Sequence, residues 1–376
     1  MFRMLPIAKQ FWQLELVVWQ QLMLRDIFRP WIMDNRPLTF IILFVLICLI
    51  PCTGIAKTYS SFGPITTRNQ NPFYLQTINL QPMRAKILAP DTLEVRLDSA
   101  YSNIFENGAT SRYWLRADME LWRIGLNARY APRENMEVGV ELPFIHTWGG
   151  FLDPFIQKFH NFFGFPNAGR NLVPDNQFMF RLQENGQNIY NINSQKMGLG
   201  DLCFYYKQHI LAEQKYQPEL SWFFQLKFPT GAGSRGLGNG NLDYGFGLAL
   251  EKSYKRFHAY LNTAYYVASR DDALVSLTHD DFFSYMAAFE VTLLPTWSVI
   301  AQLNGQTPQL TGTQMGEWDG VPLDLTIGFK GEEPGLIYDH DLMWQFGFAE
   351  DITSSGPSVD FTVFLSIGMR FVGSAH

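Results

Sequence analysis

This chain has little charge. Only 17% of its 376 residues are Asp, Glu, Lys or Arg, and the net charge is −6. So little charge beside 47% hydrophobic residues excludes a disordered chain and a coiled coil. The acidic balance lacks the basic footprint of a nucleic-acid binder. Cysteine is nearly missing: Cys48 and Cys52 fall inside an N-terminal leader, and Cys203 then stands alone, which excludes a disulfide scaffold. Long apolar runs are missing as well. Leu38–Ile50 is near-continuously apolar but spans 13 residues, against the about 20 that a membrane helix needs. With a mean hydropathy of −0.07, a bundle of membrane helices is excluded.

Aromatic residues are abundant by contrast, with 32 Phe, 16 Tyr and 10 Trp. They must be buried, or face lipid in pieces too short to register as helices. Alternating strands reconcile that content with a neutral average hydropathy.

The N-terminus carries a targeting signal. Leu38–Ile50 follows Arg36, ends at Pro51, and is succeeded by the small residues Gly54-Ile55-Ala56, which predicts a secretory signal cleaved after Ala56. An uncleaved anchor helix is the rival reading. The 32 residues ahead of Met33 predict either that translation starts at Met33 or that residues 1–32 form an amphipathic extension. Pro51 before Cys52 argues against lipidation. Without residues 1–56, 24 basic and 32 acidic residues remain, a net charge of −8. The expected organisation is 1–56 extension and signal, 57–91 periplasmic segment or lumen plug, 92–371 barrel and 372–376 tail.

From Asp91 onward the apolar period is two, the pattern of strands with one apolar face. Leu93, Val95 and Leu97 alternate with Glu94, Arg96 and Asp98. The same pattern recurs at 136–144, 202–206, 220–228, 244–250, 257–267, 283–293, 299–303, 323–329, 342–348 and 361–371. With Arg112–Tyr130 this predicts twelve strands. Loops after even strands are short, apart from Gly331–His340, and loops after odd strands are longer, led by His146–Met197. That asymmetry predicts an all-β, antiparallel, up-and-down transmembrane barrel of the Gram-negative outer membrane, with turns in the periplasm and loops outside. A β-sandwich or propeller is the soluble alternative, but its exterior is polar. In Arg112–Tyr130 the apolar phase switches, so a bulge near Leu121-Trp122 is expected, or two strands in place of one.

Functional signals are sparse. Gly231-Ala-Gly-Ser-Arg-Gly236 fits a phosphate-loop pattern but precedes no helix and reads as a hairpin loop. The histidines show no metal spacing, so no metal and no cofactor is expected. Asp271-Asp272, Asp280-Asp281 and Glu332-Glu333 read as solvated loop acids rather than calcium ligands. His146 and His279 lie near loop bases with no serine partner, which argues against an enzyme. Phe155, Ile156, Phe159, Phe162 and Phe163 repeat at helical spacing inside the longest loop. They predict a short helix that either enters the barrel mouth as a constriction or packs on the rim or outer leaflet. Polar punctuation marks 57–90, with Arg68, Asn69, Gln70 and Asn71 as candidate plug residues. Glu94, Arg96, Asp98, Arg116, Asp118 and Glu120 are expected to line the lumen in opposed ladders.

Gly63-Pro-Ile-Thr-Thr-Arg68-Asn-Gln-Asn-Pro72, the stretch Phe151-Leu-Asp153 through Phe159-His160, Phe163-Gly164, Arg170, and Phe228-Pro-Thr-Gly231 together resemble an uncharacterised Gram-negative family of outer-membrane barrels, a domain of unknown function. The resemblance implies a barrel and no activity. The expected function is a porin-like passive channel or transporter for small solutes or hydrophobic compounds. A structural or adhesive barrel is the alternative, with a lipid-modifying rim enzyme behind it. Outer-membrane lipids, lipopolysaccharide and the outer-membrane assembly machinery are the expected partners; nucleic acid is not.

Overall fold

The computed structural model describes residues 59–373 apart from 165–166, 168, 193, 234–235, 270–276, 278–280 and 354. The expectations for the leader, for Asp271-Asp272 and for His279-Asp280 fall outside the described residues. Within them, a segment bearing the short helix α1 (Pro72–Leu75) precedes β1 (Thr92–Ala109), β2 (Tyr113–Arg133) and β3 (Met136–Trp148). The long loop that follows holds α2 (Asp153–Phe163), β4 (Met179–Glu184), β5 (Gln187–Ile192) and β6 (Lys196–Leu199). Then come β7 (Leu202–Leu211), β8 (Glu219–Phe228), β9 (Asp243–Tyr254), β10 (Phe257–Val267), β11 (Asp281–Leu294) and β12 (Trp297–Gln306). After α3 (Gly316–Asp319), the chain ends in β13 (Leu323–Ile337), β14 (His340–Asp351) and β15 (Phe361–Val372).

Each of β1–β3 and β7–β15 pairs antiparallel with its neighbours, and β1 closes on β15 from Thr92↔Val372 to Asn103↔Phe361. The result is a twelve-stranded up-and-down barrel with no free edge in its wall. Both end strands meet at the rim that carries the short turns. One of these turns corrects a sequence expectation. Gly331–His340 is not a loop, because β13 and β14 run on to Ile337↔His340 and reverse through Tyr338 and Asp339, both at positive φ as a two-residue hairpin requires. The opposite end carries the long loops. There β4 pairs with the upper part of β2, and β6 continues β7 across a kink at Gly200, whose N–H donates to the Pro143 carbonyl at 2.8 Å.

Alternation sets the two faces. Leu93, Leu97, Leu126, Leu261, Phe289, Phe346, Leu365 and Ile367 are exposed on the outside, while Glu94, Glu137, Glu141, Glu251, Asn262, Glu290 and Gln302 are buried inside. Aromatic pairs ring the exterior near both rims: Phe257–Phe289, Trp297–Phe329 and Trp344–Phe346 at the turn end, and Tyr101–Trp148 at the loop end. An apolar band between two aromatic girdles is the lipid-facing surface of an outer-membrane barrel.

The switch of phase in β2 has a different cause from the bulge expected. The β1–β2 register runs unbroken from Thr92↔Ala131 to Ala109↔Trp114. The side chains therefore keep their facing, and it is the environment that inverts. Above the lipid band Leu115, Ala117, Met119 and Leu121 point inward into an apolar cluster, and Arg116, Asp118 and Glu120 point outward. Those three are not lumen residues.

Candidate functional site

The lumen is occupied by the chain's own residues 59–90. This stretch forms a hairpin with almost no secondary structure, so its backbone N–H and C=O groups must find partners on the wall. On the ascending arm, the Phe62 and Gly63 amides donate to Glu290 at 2.8 and 3.1 Å. Gln302 bonds both sides of Ile65, accepting from its N–H and donating to its carbonyl, each at 2.9 Å. Lys330 donates to the Pro64 carbonyl at 2.7 Å, and Arg68 pairs with Glu141 at 2.9 Å. On the descending arm, Ile78 N–H donates to Asp243 at 3.0 Å, and Asn262 brackets Met83 as Gln302 brackets Ile65. Arg84 pairs with Glu251, and Lys207 donates to the carbonyls of Arg84 and Lys86. The Leu88 amide donates to Glu137 at 3.2 Å, close to where β1 begins.

Between these polar anchors the lumen wall also carries an apolar patch. Phe223, Tyr260, Tyr266, Phe282, Met286 and Ile300 on β8–β12 form one apolar cluster with Ile65, Ile78, Leu80, Met83 and Ala85 of the hairpin. On β1–β3 and β7 the inner side chains are charged. Glu94 is clasped by Arg129 and Arg370, Arg123 pairs with Glu141, and Lys207 with Glu137. Glu94, Arg96 and Asp98 thus point inward, but their pairs run along the wall and not across it; Arg96 and Asp98 even bond within one strand at 2.6 Å. Cavities of about 20 and 30 Å³ lie beside the hairpin, each with room for one or two waters. The first is lined by Arg68, Asn79 and Asp324, the second by Gln81, Arg96 and Asn127.

The hairpin's tip closes the loop end. Asn71 caps α1 by accepting the Phe73 N–H at 3.0 Å. Phe73 and Tyr74 pack with Trp318 of α3, Phe180 and Leu182 of β4 and Leu115 and Met119 of β2. Asn69 donates to the Pro357 carbonyl, and Gln70 folds back on the Arg68 carbonyl. At the centre sits Glu106, whose carboxylate accepts from Asn71 Nδ2 at 2.9 Å, Trp318 Nε1 at 2.8 Å and Ser358 N–H at 2.8 Å. One side chain thereby ties the hairpin tip to two loops. Sequence reasoning named Arg68–Asn71 but missed Glu106, Glu251, Asn262, Glu290 and Gln302. Their signal was parity: each is a polar residue in the inward phase of its strand.

The loop helix is held on the other side of the wall. Asn103 and Glu120 are paired in register with Phe361 and Trp148, all on outward positions. Glu120 accepts from the Tyr101 hydroxyl and from the N–H groups of Phe151 and Leu152. Asp153 accepts from Asn103 at 3.0 Å and pairs with Arg170, which also reaches Asp360 at 2.5 Å. Along α2, Asp153, Ile156 and His160 are buried, His160 lying 3.6 Å from Glu350. Phe155 and Phe159 lie against Phe361 at centroid distances of 6.1 and 5.4 Å. Phe162 is exposed, and Phe163 closes the helix. Gly150 is essential to this clamp. Its φ is +76°, and a Cβ there would lie 1.8 Å from the Glu120 carboxyl carbon. Gly150→Ala is therefore expected to cost about 1–2 kcal/mol from φ alone and to expel Glu120. Limited proteolysis should cut the loop several-fold faster while the barrel's heat-modifiable migration on gels stays unchanged.

His146 packs at a tilt on Trp148, ring centroids 4.2 Å apart, on the outer face. A family described as a protein of unknown function, DUF3187, matches residues 40–371. The chain belongs to this family. The closed twelve-stranded barrel with its lipid-facing exterior belongs in the Gram-negative outer membrane. No curated protein matches the sequence. Similar solved structures include an outer membrane channel of Pseudomonas putida F1, at 14% identity over 78% of this chain and 100% of that one, with a TM-score of 0.49. The NanC porin is similar at 8% identity over 74% and 98%, TM-score 0.41. The Ralstonia pickettii toluene transporter TbuX is similar at 7% over 77% and 90%, TM-score 0.34.

Proposed function

We propose that the protein is a gated passive channel for small solutes, closed by its own N-terminal hairpin. The observation that carries this reading is the way the lumen is filled. A barrel built only as scaffold fills its interior with wall side chains, and twelve strands enclose more space than wall side chains fill. Here the filler is a separate segment, held by non-covalent bonds, with both ends at the turn-bearing rim. It can withdraw without breaking the wall. The walls it covers suit a solute with an apolar or aromatic part and a polar or charged part. Phe223, Tyr260 and Phe282 face the one, and the Glu94, Arg123 and Glu141 groups face the other.

Solute flux into liposomes tests the substrate class. With the hairpin removed, aromatic acids and amines are expected to enter faster than sugars of equal size; equal rates for all would remove the selectivity and leave a plain pore. A structural or adhesive barrel remains the second reading, favoured by the buried apolar packing of Phe73, Trp318 and Leu115 across the loop end. It expects no flux in either form.

A further inference from the structure

We infer that the loop carrying α2 is a membrane-interface skirt, with its phenylalanine edge seated in the outer leaflet beside the barrel. The inference is independent of whether the barrel conducts. Three clamps on this loop are anchored on outward-facing wall positions: Asn103, Glu120 and Glu350. The helix therefore lies along the outside of the wall. Its three edges differ. Asp153, Ile156 and His160 face the barrel; Gln157 bonds Asp175 of the same loop at 2.8 Å; Phe155 and Phe159 stand on the edge away from Gln157.

That phenylalanine edge continues the lipid band. Phe155 and Phe159 lie on Phe361, which stacks with Phe348 at 6.0 Å, and below them Val363, Leu365 and Ile367 run down β15. From Phe371 to Phe361 a tilted strand climbs about 25 Å, the height of the apolar band of an outer-membrane barrel, so Phe361 marks its upper edge. Beside it Tyr101 meets Trp148 edge to face and Phe151 at a tilt, joining the loop to the aromatic girdle. Phe151 and Phe155 are 63% and 50% exposed. Apolar exposure of this kind, continuous with a lipid-facing surface and backed by a buried polar clamp, fits acyl chains at the headgroup boundary.

Spin labels test it. In full-length protein with Cys48, Cys52 and Cys203 replaced by serine, Phe155→Cys and Gln157→Cys are labelled with a nitroxide. Tyr216→Cys in a turn and Leu365→Cys on the band serve as references. All are reconstituted in phosphatidylethanolamine–phosphatidylglycerol vesicles and read by power-saturation EPR. The label at 155 is expected to be several-fold more accessible to oxygen than to a water-soluble nickel complex, as at 365, and the label at 157 to resemble 216. Phe151→Cys repeats the test if the first variant fails to fold. Nickel accessibility at 155 and 151 equal to 216 overturns the inference. Low accessibility to both probes also overturns it, since protein and not lipid would then cover the edge.

Discussion

Deleting residues 60–88 is expected to turn a nearly silent barrel into a conducting one, raising single-channel current in planar bilayers by about tenfold or more. The wall should survive the deletion. Part of its charge is paired within the wall, Glu94 with Arg129 and Arg370 and Glu141 with Arg123, and water entering the lumen hydrates Glu251, Glu290 and Lys330, whose partners leave with the hairpin. Both ends of the removed segment lie at the turn rim, Ser60 beside Thr292 and Leu88 beside Glu137, so the rejoined chain need not cross the lumen. Removing Pro154–His160 is expected to leave the current unchanged, because the loop helix sits on the outer face. Equal silence of the hairpin deletion, in protein that migrates as a folded barrel, would favour the structural reading.

Arg84→Ala is expected to have the next largest effect. Burial by itself drives the Arg84 guanidinium toward deprotonation, but Glu251 beside it more than offsets this and holds it charged. The Arg84 and Glu251 side chains are largely or wholly buried, and Arg84 also reaches Ser61 on the opposite arm, so it fastens the two arms to the wall at one point. Losing one partner of a buried pair costs about 3–5 kcal/mol because the other charge is left uncompensated. Lys86, 3.5 Å from Glu251, offsets part of that. A net loss of about 3 kcal/mol raises the withdrawn fraction of the hairpin on the order of a hundredfold, seen as brief openings absent from the wild type. The double variant Arg84→Ala, Glu251→Gln is expected to open less than Arg84→Ala alone, since no buried charge is then orphaned.

Strand number, parity and the inward facing of Glu94 and Asp98 were legible because alternation is a local signal, repeated along each strand. The switch of phase at Leu121 was legible too, but its meaning was not. A bulge and a change of surroundings produce the same pattern, and only the unbroken pairing of β2 with β1 separates them. The loop helix was legible as a helix and not as to its side of the wall. That choice rests on Glu120 and Asp153, whose partners Tyr101, Asn103 and Arg170 are distant in sequence. The return arm 76–90 carried no periodic pattern, because an irregular segment whose backbone is satisfied by wall side chains has no period to read.

The most direct test is a reversible tether between hairpin and wall. Met83 lies against Asn262, so Met83→Cys and Asn262→Cys are placed in a Cys203→Ser, Arg84→Ala background, and current is recorded before and after reduction. A plug that gates the lumen predicts silence in the oxidised protein and openings that appear on reduction and vanish on reoxidation. Current that ignores the tether would mean that ions pass by another route and that the hairpin is not the gate.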